Sequence, residues 1–176
     1  DNPSTATRTV TVVVDDGADL SSAPTRTVTV TATNDAPTVT PSGGSAAYTE
    51  NGAAVFVDAA VAADDVDTAT LASASVQITG NYVSGEDVLA FADQPGISGS
   101  WDAGSGTLAL SGAATLSQYE TALRTISYLN TSDAPSTTAR TVTFVVDDGG
   151  GPGSPGTRSV TVTAVNDAPM LAGTGG

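Results

Sequence analysis

The residues of this chain that could do chemistry are nearly all carboxylates and amides, and they come in clusters. Asp64-Asp65-Val66-Asp67 is the densest; Asp15-Asp16-Gly17 and Asp147-Asp148-Gly149 each follow a valine-rich run, and Asn34-Asp35 comes back as Asn166-Asp167. Acidic residues outnumber basic ones 19 to 5, for a formal net charge of −14, and every basic residue is an arginine. Such a charge repels nucleic acid and anionic membrane and favours the collection of cations. Asp and Asn are also the ordinary residues of turns, so type alone does not make them ligands. With no Cys there are neither disulfides nor thiolate metal sites. With no His the chain lacks the commonest general base and the usual zinc ligand. No nucleophile–base set can be assembled without His, Cys or Lys, and the carboxylate pairs fall on turns, so the chain does not read as an enzyme.

Several cation and anion motifs fail on spacing. An EF-hand loop begun at Asp65 would need an acid where Ala69 stands and a Glu where Val76 stands. The Gly-rich nonapeptide of calcium-binding β-helices is absent. The Gly-rich stretch 149–156 lacks the Lys of a phosphate loop and reads as a hairpin loop. Without Lys, intramolecular isopeptide bonds are excluded as well. Asn130-Thr131-Ser132 is a formal glycosylation sequon.

What must position the clusters is a repeat. Residues 1–44 align without gaps on 133–176, an offset of 132 positions, with 27 of the 44 identical. Asp1 falls on Asp133, Arg8 on Arg140, Asp15-Asp16-Gly17 on Asp147-Asp148-Gly149, and Gly43-Gly44 on Gly175-Gly176. The organisation expected is residues 1–33 as the last two strands of an upstream or strand-exchanged repeat, 34–167 as one complete repeat, and 168–176 as a linker or the start of the next. Arg8 to Val14 alternates Val inward with Thr outward, and Thr25 to Ala32 returns the same way, so the two form a hairpin. A lone hairpin is marginal in water, and residues 1–33 need completion from elsewhere.

In the complete repeat, strands are expected at Ala46 to Glu50, Val55 to Val57, Leu71 to Thr79 and Val88 to Phe91. Two more flank the turn Asp102 to Gly106, with Trp101 as a core anchor. Thr115 to Leu123 reads as a helical turn capped by Ser117, with Leu116, Tyr119 and Leu123 on one face. Ile126 to Leu129, Arg140 to Val146 and Thr157 to Ala164 complete the set. Short strands at regular spacing, separated by Gly, Pro, Asp and Asn, indicate an all-β fold, a Greek-key β-sandwich. No apolar run approaches the ~20 residues that cross a bilayer.

Particular segments carry a resemblance. Val-Asn-Asp-Ala-Pro at 165–169, Tyr-Thr-Glu-Asn at 48–51, Asp-Val-Asp at 65–67 and Val-Val-Asp-Asp-Gly at 145–149 resemble bacterial cadherin-like repeats, of the VCBS and dystroglycan type, in large secreted RTX-type adhesins. Gly106 to Gly112, Leu116 to Leu123 and Asn130 to Asp133 add to the likeness, which spans essentially the whole chain. It implies Ca2+ at the junctions between repeats, bound by a linker Asn-Asp, an Asp-x-Asp pair, a Glu after the first strand and an Asp after the penultimate one. Those positions are Asn34, Asp35, Asp65, Asp67 and Asp147 at an upper junction, and Glu50, Asn166 and Asp167 at a lower one. Strand directions agree: a first strand running downward leaves Glu50 at the bottom, and the ascending strand before the last leaves Asp147 at the top. Glu120 is a further candidate at the lower junction, although Leu116 to Glu120 is one residue longer than the family's Leu-Asp-Arg-Glu and lacks its Asp and Arg. Asp58, Asp64, Asp102 and Asp148 read as solvated turn residues. Calcium takes six to eight oxygens in irregular geometry, which suits carboxylates and amide carbonyls gathered from several loops.

The function that follows is a calcium-stiffened structural extender in cell adhesion, secreted and displayed at the cell surface, whose partners are neighbouring repeats or copies of itself. Two other readings stand beside it. One is a module that binds surface polysaccharide or another cell, for which Trp101, Tyr82 and Tyr128 are the aromatic candidates. The other is a subunit that completes its neighbour head to tail by strand donation and so builds an extracellular filament.

Overall fold

The computed structural model describes residues 2–169. The chain forms two compact units, Asp1–Asp35 and Ala36–Gly176. The first contains a two-stranded hairpin, β1 (Arg8–Thr11) and β2 (Thr25–Val28), paired antiparallel from Arg8↔Val28 to Thr11↔Thr25. Every residue of both strands is exposed.

The second unit is a β-sandwich. Its strands are β3 (Thr38–Thr40), β4 (Ser45–Thr49), β5 (Val55–Phe56), β6 (Ala62–Asp64), β7 (Thr70–Gly80), β8 (Asp87–Ala90), β9 (Ser98–Asp102), β10 (Thr107–Thr115), β11 (Ser127–Asn130), β12 (Arg140–Asp147) and β13 (Gly156–Thr163), with one helix, α1 (Leu116–Arg124). Six strands form the larger sheet in the order β4-β13-β12-β7-β10-β9; β5-β11-β8 and β3-β6 form smaller ones. The alternation read from the sequence is what builds the large sheet. Along β12, Val142, Phe144 and Val146 point inward and are buried, while the intervening threonines and valine are half-exposed. Val76 and Ile78 of β7, Leu108 and Leu110 of β10 and Val160 of β13 join them. Leu89 and Tyr128 face them from the smaller sheet, with Val57 just past β5 and Tyr119 and Leu123 of α1. Tyr48 joins the layers, its ring edge-on to Tyr128 at 5.5 Å and its hydroxyl donating to the Asn130 carbonyl at 2.8 Å.

Strand directions set the poles. β12 ascends and β13 descends beside it; β4 pairs with β13 in parallel, from Ser45↔Ser159 to Thr49↔Thr163. The residues after β4 and after β13 therefore emerge at the same, lower end. β7 pairs antiparallel with β12, Asp147 opposite Ser73, so the residues preceding β7 lie at the upper end with those that follow β12. The chain enters the sandwich at that upper end as well: Thr38 pairs with Asp64 and bridges Ser154.

Three local expectations change. β3 and β6 are additional strands, each only three residues long and too short to show a period. Thr115, not Ser117, caps α1: it ends β10 in extended conformation, its hydroxyl accepts from Gln118 N at 3.3 Å, and Gln118 Oε1 accepts from Thr115 N at 2.9 Å. Ser117 already lies inside the helix. Trp101 is a half-buried flank residue rather than a core anchor, edge-on to Tyr82 at 6.3 Å. The expected start of a further repeat at 168–176 falls, from residue 170 onward, outside the described residues. No helix among the described residues is long and apolar enough to cross a membrane.

Candidate metal centre

At the upper pole, three carboxylates converge. Asp65, Asp67 and Asp148 each present an oxygen, and these atoms lie within 4.8 Å of one another. Asp65 and Asp67 follow β6, and Asp148 follows β12, so the cluster exists because two distant segments end at one pole. All three are half-buried. Asp65 Oδ1 accepts from the amides of Asp67 and Thr68, each at 2.9 Å, which turns the loop and fixes the carboxylate. Burial pushes the Asp65 carboxyl up, but the hydrogen bonds from the Asp67 and Thr68 amides lead the contributions that outweigh it and hold it below the ordinary Asp value. It therefore stays ionised at neutral pH. Asp148 Oδ1 accepts from Gly150 N at 2.7 Å. The second oxygens, Asp65 Oδ2 and Asp148 Oδ2, are shielded from solvent and have no hydrogen-bond partner. Paired like charges with uncompensated buried oxygens are costly unless a cation neutralises them.

Asp148, expected as a solvated turn residue, is thus the member that joins the Asp-x-Asp pair. Its neighbour Asp147 lies at the same pole as expected, but its Oδ1 is taken up by Gly149 N at 2.6 Å. Asp147 is the last residue of β12 and Asp148 the first beyond it, so one position decides which carboxylate meets Asp65. Asn34 and Asp35 close the first unit, where Asn34 Nδ2 donates to the Asp35 carbonyl at 3.1 Å.

The lower pole holds Glu50, a glutamate only 3% exposed. Its amide donates to Thr163 O at 2.9 Å, and its Oε2 accepts from Val165 N at 2.6 Å, so the carboxylate sits against the segment that runs into Asn166 and Asp167. Oε1 is buried with no hydrogen-bond partner. Asn166 Nδ2 donates to Asp167 O at 3.1 Å, repeating the turn at Asn34-Asp35. Glu120 does not belong here. α1 starts where Thr115 pairs with Thr70, at the upper pole, and Glu120 accepts from Ala63 N at 3.1 Å while pairing with Arg124 at 3.3 Å.

Two buried ionic groups went unread in the sequence. Asp58, expected on a solvated turn, is fully buried: Ser42 donates from its amide at 2.6 Å and its hydroxyl at 2.7 Å, and Arg158 lies 3.4 Å away. Burial pushes Asp58 up, yet the amide of Ala60, Ser42 and the Arg158 charge together hold it below the ordinary value. Asp87 is buried beneath Arg140, whose Nε lies 3.2 Å from both carboxylate oxygens. It also accepts from Tyr128 Oη at 2.5 Å, Asn130 Nδ2 at 2.8 Å and Val83 N at 2.8 Å. Burial, with the Asp87 charge beside it, drives the Tyr128 hydroxyl far above its normal range. An Arg opening both matching strands, Arg8 and Arg140, was the available signal. Tyr128, being fully buried, is not a sugar-stacking residue; Asp102 does cap an exposed turn, through Gly104 N at 2.8 Å. No family model, curated protein or solved structure matches this chain.

Proposed function

We propose that residues 36–167 form a calcium-stiffened, cadherin-like repeat of a secreted bacterial adhesin, a structural extender in cell adhesion at the cell surface. One observation carries this reading: a buried carboxylate oxygen without a hydrogen-bond partner occurs at each pole, in the Asp65, Asp67 and Asp148 cluster where the chain enters and on Glu50 where it leaves. Asp65, Asp67 and Asp148 would hold a cation at the upper pole, with Asp147 alongside. Glu50, Asn166 and Asp167 would hold the other. The donor set is all oxygen, which suits calcium, and a bound ion would relieve the carboxylate repulsion that otherwise loosens each joint.

Thermal unfolding in EDTA and in millimolar calcium tests this. Calcium at a hundredfold excess over its dissociation constant adds about 2.7 kcal/mol, or roughly 10 °C in Tm for a unit of this size. Asp65→Asn with Asp67→Asn removes the upper site's share of that shift. An unchanged Tm would show that the clusters are solvated turns.

A further inference from the structure

The first-unit hairpin reproduces, bond for bond, half of an interface whose other half is visible in the second unit. Its register is that of β12–β13 shifted by 132 positions: Arg8↔Val28 matches Arg140↔Val160, and Val10↔Arg26 matches Val142↔Arg158. Arg8 Nη1 donates to Ser4 O and Ala6 O, both at 2.8 Å, as Arg140 Nη1 donates to Ser136 O and Thr138 O at 2.5 and 2.8 Å. The environments, however, are opposite. Val10, Val12, Val14 and Val28 are 47% to 67% exposed, whereas Val142, Phe144, Val146 and Val160 are completely buried. Arg140 is buried on Asp87; Arg8 is exposed, with its guanidinium already turned back by the same two carbonyls.

We infer that the hairpin face is a docking surface for a sandwich body of the same kind as residues 36–132, supplied from upstream, in which Arg8 takes the buried carboxylate equivalent to Asp87. Its valines fill the positions that β12 and β13 occupy between β7 and β4. Two other occupants are excluded by geometry and counting. The hairpin cannot enter its own chain's slot: Thr33 would have to stand where Val165 does, at the lower pole, while Thr38 is paired at the upper one. Five residues span at most ~18 Å, and β13 alone, at ~3.3 Å for each of its eight residues, is longer. A second copy offers no vacant slot either, since each chain has one slot and two hairpins. Any exchange leaves as many hairpins exposed as before. Charge adds specificity: a sheet without an acid at the Asp87 position would bury the guanidinium unpaired.

The test uses the full chain, alone and extended at its N-terminus by a second copy of residues 36–132, so that residue 132 of that copy precedes Asp1. In the extended chain an upstream unit should unfold cooperatively, and Arg8→Met should lower its midpoint as much as Arg140→Met lowers that of the resident repeat. In the 176-residue chain Arg8→Met should change nothing. Because the chain has no cysteine, Thr11→Cys with Gln77→Cys in the added body gives a second readout: β12 pairs Thr143 with Gln77, so a disulfide should form in good yield. The inference is overturned if that disulfide does not form, or if the added body stays unfolded while the resident repeat melts normally. It is overturned equally if the 176-residue chain self-associates and Val12→Asp returns it to monomer, which would make a second copy the occupant.

Discussion

Replacing Arg140 by Met keeps the aliphatic stem and deletes the guanidinium that neutralises Asp87. The carboxylate stays fully buried, and its other donors, Tyr128 Oη, Asn130 Nδ2 and Val83 N, are neutral. Breaking one side of a buried pair costs about 3–5 kcal/mol, and the three surviving hydrogen bonds put this case near the lower figure, at about 3 kcal/mol. That is a large fraction of the ~5–15 kcal/mol typical of a whole domain. Urea unfolding followed by the fluorescence of Trp101, the only tryptophan, reports the sandwich alone because Trp101 lies in β9. The midpoint should fall with the slope unchanged. Adding Asp87→Asn, which removes the stranded charge, should recover part of the loss, as a double-mutant cycle requires of coupled groups. A cost under about 1 kcal/mol for Arg140→Met, or no recovery with Asp87→Asn, would refute the view that this pair clamps the last hairpin onto the smaller sheet.

Other outcomes follow from single sites. Glu50→Gln should abolish one class of calcium site in a calorimetric titration and leave the class lost in Asp148→Asn intact, because the two lie at opposite poles. Asp58 is held below the ordinary Asp value in the fold; its contribution is therefore complete above that ordinary value and lost as pH falls through the folded one. Asp58→Asn should flatten the acid limb of a stability–pH profile. Gly112 has φ +130° at the irregularity in β10, and a Cβ there would stand 1.9 Å from Gly96 O, so Gly112→Ala should cost more than about 2 kcal/mol in denaturant unfolding. Thr115→Ala should cost about 1 kcal/mol through loss of the α1 capping box.

The sandwich was legible because strand alternation is a local pattern and repetition is visible by aligning the chain with itself. Val142, Phe144 and Val146 announce their face by a period of two, and the segments that match 132 residues apart form the same antiparallel pair twice, β1–β2 and β12–β13. Strand direction then carried Glu50 and Asp65 to opposite poles correctly, since polarity follows from chain order. What failed were facts that depend on one residue of register or on a partner far along the chain. Asp147 and Asp148 read alike in sequence, and only the point at which β12 ends decides that the second one meets Asp65. Asp58 looks like a turn residue until Ser42 and Arg158, from two other segments, close over it. Asp87 and Arg140 stand 53 positions apart, and nothing local to either marks a buried pair. Glu120 was misplaced because the direction of α1 depends on β10, whose end at the upper pole carries the helix there.

The parallel pairing of β4 with β13 has a mechanical consequence. These are the first and last strands of the larger sheet in chain order, and the chain arrives at the upper pole and departs at the lower. Tension drawn between those ends acts along the axes of two neighbouring strands in opposite senses. The ladder from Ser45↔Ser159 to Thr49↔Thr163 is then sheared as a block and cannot be unzipped one rung at a time. Rupture requires all its bonds to fail nearly together, so forced unfolding, which is governed by the unfolding barrier, should be slow. Only the short β3, pairing over three residues with β6, can peel away beforehand and yield a few ångströms of give.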